Sequence, residues 1–122
     1  MNNKEFGKRL EARTKQFAVD CIKLSFKLPK THEFNVLKNQ LTKSATSVGA
    51  YYREANRSRS KADFINKIKI CESEANETYY WLEIIQSTQG SESITTKRLL
   101  LESNELISIF TPINNKMKKK KL

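Results

Sequence analysis

The sequence predicts an all-α fold, an antiparallel up-down-up-down four-helix bundle, and three observations carry that prediction. Apolar residues recur at steps of three and four in four separate segments. The breaks between these segments are short, which makes consecutive helices antiparallel neighbours. The 122 residues include only three Gly and two Pro, against 38% apolar and 30% charged side chains, a balance that favours helices over a turn-rich β fold.

The first helix is expected over residues 3–28, with Phe6, Leu10, Phe17, Cys21, Leu24 and Leu28 on its apolar stripe. Pro29 ends it, because the proline ring clashes with the preceding turn. The second is expected over residues 31–55, capped by Thr31, with Phe34, Leu37, Leu41, Ala45, Val48, Tyr52 and Ala55 on one face. A polar break over residues 56–60 follows. Ser60 then offers its hydroxyl as an N-cap, and Asp63 places a negative charge in the first turn of a third helix over residues 61–87. Phe64, Ile68, Cys71, Ala75, Leu82 and Ile85 form its stripe, and Gly90 suits a left-handed cap beyond it.

The fourth helix is expected from about Thr95, with Ile94 and Leu99 spaced as a hydrophobic staple and Leu99, Leu106, Phe110, Ile113 and Met117 as its seam. Pro112 predicts a kink or an early end. The chain thus divides into a bundle domain over residues 1–115 and a basic tail, residues 116–122, without fixed structure. A chain of this length buries a core without disulfides or metal. Cys21 and Cys71 fall on apolar stripes and read as buried free thiols. The first ten residues hold no apolar run, and no segment approaches the roughly 20 apolar residues of a membrane span, so a cytoplasmic protein with no membrane role is expected.

The formal net charge is +10, and it is unevenly placed. Residues 1–30 hold eight basic and three acidic groups, residues 31–60 five and two, residues 61–90 three and five, residues 91–115 two and three, and the tail five and none. Basic ends around a mildly acidic middle attract polyanions, although the same charge also serves solubility. Lys8, Lys15, Lys23, Lys27 and Lys30 are spaced to share an outward face of the first helix. Arg53, Arg57 and Arg59 cluster at the end of the second, and Lys118, Lys119, Lys120 and Lys121 form an unbroken run. Point charges and forked donors spread along a surface are what phosphate binding requires, so these are the candidate nucleic-acid-binding residues. Tyr51, Tyr52, Tyr79, Tyr80 and Trp81 are candidates for stacking on bases, but read better as core or subunit-interface residues. Adjacent helical residues point about 100° apart, so one core cannot accept all these rings, which predicts a homo-oligomer with the second and third helices at the interface.

Catalysis is not expected. The single histidine, His32, lies at a helix start, and a di-iron bundle needs a Glu-x-x-His pair on each of two helices. The glycines are isolated, so no phosphate loop exists. Asp63, Glu72, Glu74, Glu77 and Glu83 share the third helix and raise a metal or acid-base reading, but ion pairing with the basic helices accounts for them better. No catalytic residue, metal ligand or cofactor is assigned.

Three stretches carry a resemblance. They are Ser47-Val48-Gly49-Ala50-Tyr51-Tyr52-Arg53-Glu54-Ala55, then Ser58-Arg59-Ser60-Lys61-Ala62-Asp63-Phe64-Ile65 with Lys67, then Glu74-Ala75-Asn76-Glu77-Thr78-Tyr79-Tyr80-Trp81-Leu82-Glu83. Together with Phe17-Ala18 and Leu28-Pro29, they resemble the four-helix bundle proteins encoded in intervening sequences of bacterial 23S ribosomal RNA genes, over residues 6–110. The resemblance implies a homopentamer without enzymatic activity, for which RNA binding is inferred from gene location and charge. It is more distantly similar to the accessory protein of diversity-generating retroelements, a basic pentamer that binds a reverse transcriptase, so the alternative function is a protein adaptor docking such an enzyme. Arg53, Glu54, Asp63, Lys67, Glu74, Glu77 and Trp81 match the family motif. This chain departs from it at Tyr51, where the family commonly has Asn. The motif carboxylates are expected to pair with Arg53, Arg57 or Lys67 between helices or subunits, where breaking a buried pair costs about 3–5 kcal/mol. Tyr51, Tyr52, Glu54, Asp63, Lys67, Glu74, Glu77 and Trp81 are therefore the candidate structural or interface residues, and RNA is favoured over DNA as the partner.

Overall fold

A computed structural model of the chain describes residues 3–89 and 93–121, with side chains as far as Asn115. Four helices account for nearly all of it: α1 (Asn3–Phe26), α2 (His32–Ala55), α3 (Lys61–Gln89) and α4 (Ile94–Lys121). Each helix packs against its chain neighbours, and α4 returns to α1 more sparsely, which closes the ring. Two contacts show that α1 and α2 run in opposite directions. On α1 and α2, Glu11 meets Asn56 and Thr14 lies under Gly49, so later residues of one helix meet earlier residues of the other. Arg13 meets Glu102 between α1 and α4, and Glu72 meets Thr111 and Asn114 between α3 and α4.

The helix starts follow the side-chain chemistry. Thr31 Oγ1 accepts from Phe34 N at 3.2 Å, and Ser60 Oγ accepts from Asp63 N at 3.0 Å, which satisfies N–H groups that have no partner within the helix. The α4 cap lies earlier than the sequence suggests. Ser93 Oγ accepts from Thr96 N at 3.3 Å, so Ile94 becomes the first helical residue, is 85% exposed and makes no staple. Pro112 does not end α4, which runs on to Lys121. Proline has no N–H to donate, and its exposed position leaves the unpartnered carbonyl one turn earlier to water. The predicted cap at Gly90 and the side chains of Met117 and of Lys118 to Lys121 lie outside the described residues.

The core is continuous along the bundle. Leu10, Phe17, Cys21, Leu24 and Leu28 meet Leu41, Ala45, Val48, Tyr52 and Ala55, and then Ile68, Cys71, Ala75, Leu82, Ile85, Leu99, Leu106 and Phe110. Both cysteines are buried free thiols. Phe6, by contrast, is 42% exposed. Buried hydroxyls fill the gaps in the apolar stripes. Thr14 bonds the Leu10 carbonyl at 2.9 Å, Ser103 bonds that of Leu100 at 3.0 Å, and Thr78 Oγ1 lies 2.8 Å from both the Glu74 carbonyl and Ser44 Oγ. A hydroxyl that returns its proton to its own helix enters the core without an unsatisfied donor. Among the described residues, no helix is long and apolar enough to cross a membrane.

Candidate nucleic-acid interface

The α1/α2 face gathers much of the predicted basic set. Near the start of α1 and the end of α2, the small residues Ala18, Gly49 and Ala50 leave a groove of about 510 Å³ between the helices. Lys15, Arg53 and Arg57 line it, together with Glu11 and Glu54. An adjoining hollow holds Lys4 and Lys8 beside Asn56 and Arg57. Toward the opposite end of the same helix pair, Lys30 joins Lys38 and Lys43 in a third hollow. The structure therefore unites Lys8, Lys15, Arg53 and Arg57, and adds Lys4, Lys38 and Lys43, which the sequence reading missed. The spacing of Lys38 and Lys43 was visible, but only the α1/α2 packing shows that they approach Lys30.

The remaining predicted cations are placed differently. At about 100° per residue, Lys23 lies roughly 80° round α1 from Lys15, and Lys27 and Lys30 come after the helix ends at Phe26, so the five lysines do not share one straight face of α1. Lys23 and Lys27 are exposed, as is Arg59.

Two of the arginines already have partners. Arg53 Nε stands 3.5 Å from Glu11 Oε1, and Asn56 Nδ2 donates to Glu11 Oε2 at 2.9 Å, so Glu11 ties α1 to the end of α2. Arg57 Nη1 donates to the Arg53 carbonyl at 3.1 Å, placing a cation at the negative end of the α2 dipole. The partner of Arg53 is thus an α1 carboxylate and not one from α3. A further bond that the sequence did not announce joins α1 to α4, where Arg13 grips both oxygens of Glu102 at 2.7 Å. That hydrogen bonding holds the Arg13 pKa above its ordinary value.

The aromatic and acidic motif residues serve mainly to build the fold. Tyr52 is 3% exposed and packs against Phe110 at 5.9 Å between ring centroids, so it is a core residue of the bundle. Tyr51 is half-buried, with Lys67 Nζ 5.5 Å from its ring centre. Lys67 therefore meets a ring face where a carboxylate was expected. Trp81 is half-buried and donates from Nε1 to Glu77 Oε1 at 3.2 Å, while Tyr80 packs edge-on against it. Asp63 sits exposed in the first turn of α3, and Glu54 is exposed at the edge of the α1/α2 groove.

Glu74 is half-buried. Its carboxyl is pushed above the ordinary value by desolvation first and then by neighbouring Glu77, against the pull of Lys43 and a bond to Ser47. Burial also pushes the Cys21 and Cys71 thiols up to about 12. Among the described residues, no group of three or more His, Cys, Asp or Glu is arranged to hold a metal ion.

Comparison with known proteins follows the same outline. No curated protein matches the chain significantly. A solved structure of a protein of unknown function from the S23 ribosomal protein family of Bacteroides thetaiotaomicron is similar at 35% identity and a TM-score of 0.77, over 85% of this chain and 96% of that one. The model of the 23S rRNA-intervening sequence protein family matches residues 9–111, a span that includes the whole of α2 and α3. The four-helix bundle with its basic α1/α2 face belongs to the 23S rRNA-intervening sequence protein family.

Proposed function

We propose that the protein is a non-enzymatic, homo-oligomeric and pentameric basic scaffold that binds nucleic acid, RNA in preference to DNA, through phosphate contacts. The observation that carries this reading is the convergence of Lys8, Lys15, Arg53 and Arg57 with Lys4, Lys38 and Lys43 along one α1/α2 face of a chain with net charge +10. Counterion release from a polyanion rewards such a face, and repeating it around an oligomer adds avidity. The tail Lys118 to Lys121 adds further cations at the end of α4. The exposed apolar side chains Phe6, Leu101 and Tyr80 are compatible with self-association.

The test is binding of nuclease-treated protein to a structured ribosomal RNA fragment and to duplex DNA of equal length, across a salt series. Preference for the RNA that survives near ~150 mM salt supports the reading, because nonspecific contacts weaken steeply there. Equal binding that vanishes with salt favours the protein-adaptor alternative. Sedimentation tests the assembly: a particle of five times the 14.2 kDa chain mass is expected, and a monomer at micromolar concentration rules it out.

A further inference from the structure

The three basic hollows on the α1/α2 face are not equivalent. The groove near the start of α1 sets Lys15, Arg53 and Arg57 against Glu11 and Glu54, and Arg53 is drawn to Glu11. The hollow at the other end, about 520 Å³, is lined by Lys30, Lys38 and Lys43 with no carboxylate. Among the described residues none of these three lysines forms an ion pair. Lys43 also acts on Glu74, which lies on the neighbouring helix α3. Asn39 and Thr42 add neutral hydrogen-bonding groups to the wall. A phosphate entering here meets three cations and displaces no acid.

The same hollow includes Phe26, the last residue of α1, which is 77% exposed. Lys23, three residues earlier, lies on the same side of the helix. A large ring held in water among cations is costly for a surface with no partner and well suited to stacking on a base. Of the other exposed rings among the described residues, Phe6 is 42% exposed and lies beside Arg9 and Arg13, but Arg13 is already held by Glu102. Tyr80 is 52% exposed but lies on α3 with Glu77 and Glu83 three residues to either side, where phosphates are repelled. The half-buried Tyr51 and Trp81 are occupied by Lys67 and Glu77.

We infer that the Phe26 hollow, with Lys30, Lys38 and Lys43, is a subsite for unpaired polynucleotide, with Phe26 stacking on a base and the lysines holding the flanking phosphates. The inference rests on the nucleic-acid reading above and narrows it, because a duplex keeps its bases stacked internally and gains nothing from Phe26.

The experiment compares single-stranded RNA and DNA of one sequence, roughly 20 nucleotides long to exceed the ~4–16 nucleotides of typical single-strand sites, with the matching duplex. The full chain is titrated as wild type, Phe26→Ala, Tyr80→Ala and Lys38→Gln/Lys43→Gln, with circular dichroism confirming the fold. Phe26→Ala is expected to weaken single-strand binding about tenfold, within the range for loss of one stacked base, and to leave the duplex unchanged. Tyr80→Ala is expected to change neither. The lysine pair is expected to weaken binding to all three and to flatten the single-strand salt slope by about 0.7 per charge removed. Equal loss for RNA and DNA means that phosphate and base suffice, and a larger loss on RNA brings in the 2′-hydroxyl; both support the subsite. If wild type binds but Phe26→Ala matches it on single strands, the subsite is overturned while the phosphate reading stands. If wild type binds none of the probes at low salt, the parent reading falls and the subsite with it.

Discussion

Replacing Gly49 and Gly7 separately by alanine puts one substitution into two helical settings that differ in clearance. A Cβ at Gly49 lies 3.0 Å from Thr14 Oγ1, 3.3 Å from Thr14 Cβ and 3.4 Å from the Thr14 carbonyl carbon. That hydroxyl is buried and anchored to the carbonyls of Leu10 and Glu11 at 2.9 and 3.0 Å, so it cannot swing away cheaply. The helices must separate by a few tenths of an ångström along their closest approach. A Cβ at Gly7 first meets Asn56 Nδ2 at 3.3 Å, the end of an exposed side chain whose bond to the Glu11 carboxylate tolerates a shift of a few tenths of an ångström. Alanine in a helix interior gains about 1 kcal/mol over glycine at both positions. Overpacking at Gly49 costs about 1–3 kcal/mol. Gly49→Ala is therefore expected to lose about 1 kcal/mol net, and Gly7→Ala to gain about 0.5–1 kcal/mol. Urea titration at equal m-value reads both, and each kcal/mol moves Tm by about 4 °C at this chain length. Adding Thr14→Ala to Gly49→Ala is expected to recover part of the loss, as a positive coupling between touching residues. If Gly49→Ala is stabilised as much as Gly7→Ala, clearance does not set the α1/α2 distance and the reasoning fails.

Glu74 holds its proton more tightly in the fold than its ordinary value of 4.5, so its contribution to stability is complete below that value and lost as pH rises through the raised one. Glu74→Gln is expected to raise Tm at pH 7 and to match wild type near pH 4, as read by thermal melts across pH. Cys21 and Cys71, with thiol pKa values pushed up to about 12, are expected to resist a thiol reagent at pH 8 in the native state and to react fully in denaturant. Arg13→Gln is expected to lose about 0.5–1 kcal/mol in low salt and less at high salt, and the swapped pair Arg13→Glu/Glu102→Arg to regain part of it, as denaturant titrations at two salt concentrations would show.

Most of the fold was legible because the core stripes are apolar at helical spacing and the caps at Thr31 and Ser60 are short polar side chains directly before them. The misreadings have physical causes. Thr14, Ser44, Thr78 and Ser103 sit in the core although polarity argues against it, because each hydroxyl has a carbonyl of its own helix within reach. Ile94 suggested a staple only while the cap was placed two residues too late, since Ser93 and Thr95 are both suitable caps and the backbone chooses. The candidate site was half legible. Exposure of the lysines and arginines follows from charge alone. Which of them meet depends on how α1 and α2 pack, so Lys38 and Lys43 emerged only with the fold, and Phe26 came out of the apolar background only once its side chain was seen in solvent.

The sparse packing between α1 and α4 makes the bundle less a closed ring than a strip folded over on itself. Three of its four interfaces join helices that are neighbours along the chain, so they form with little loop to close, and only the last brings the two ends together. The bundle opens most cheaply along that edge, like a book whose covers are α1 and α4, with Arg13 and Glu102 as the clasp. Opening there leaves the α1/α2 face intact. The surface that carries the basic groups stays assembled through the easiest fluctuation the molecule has.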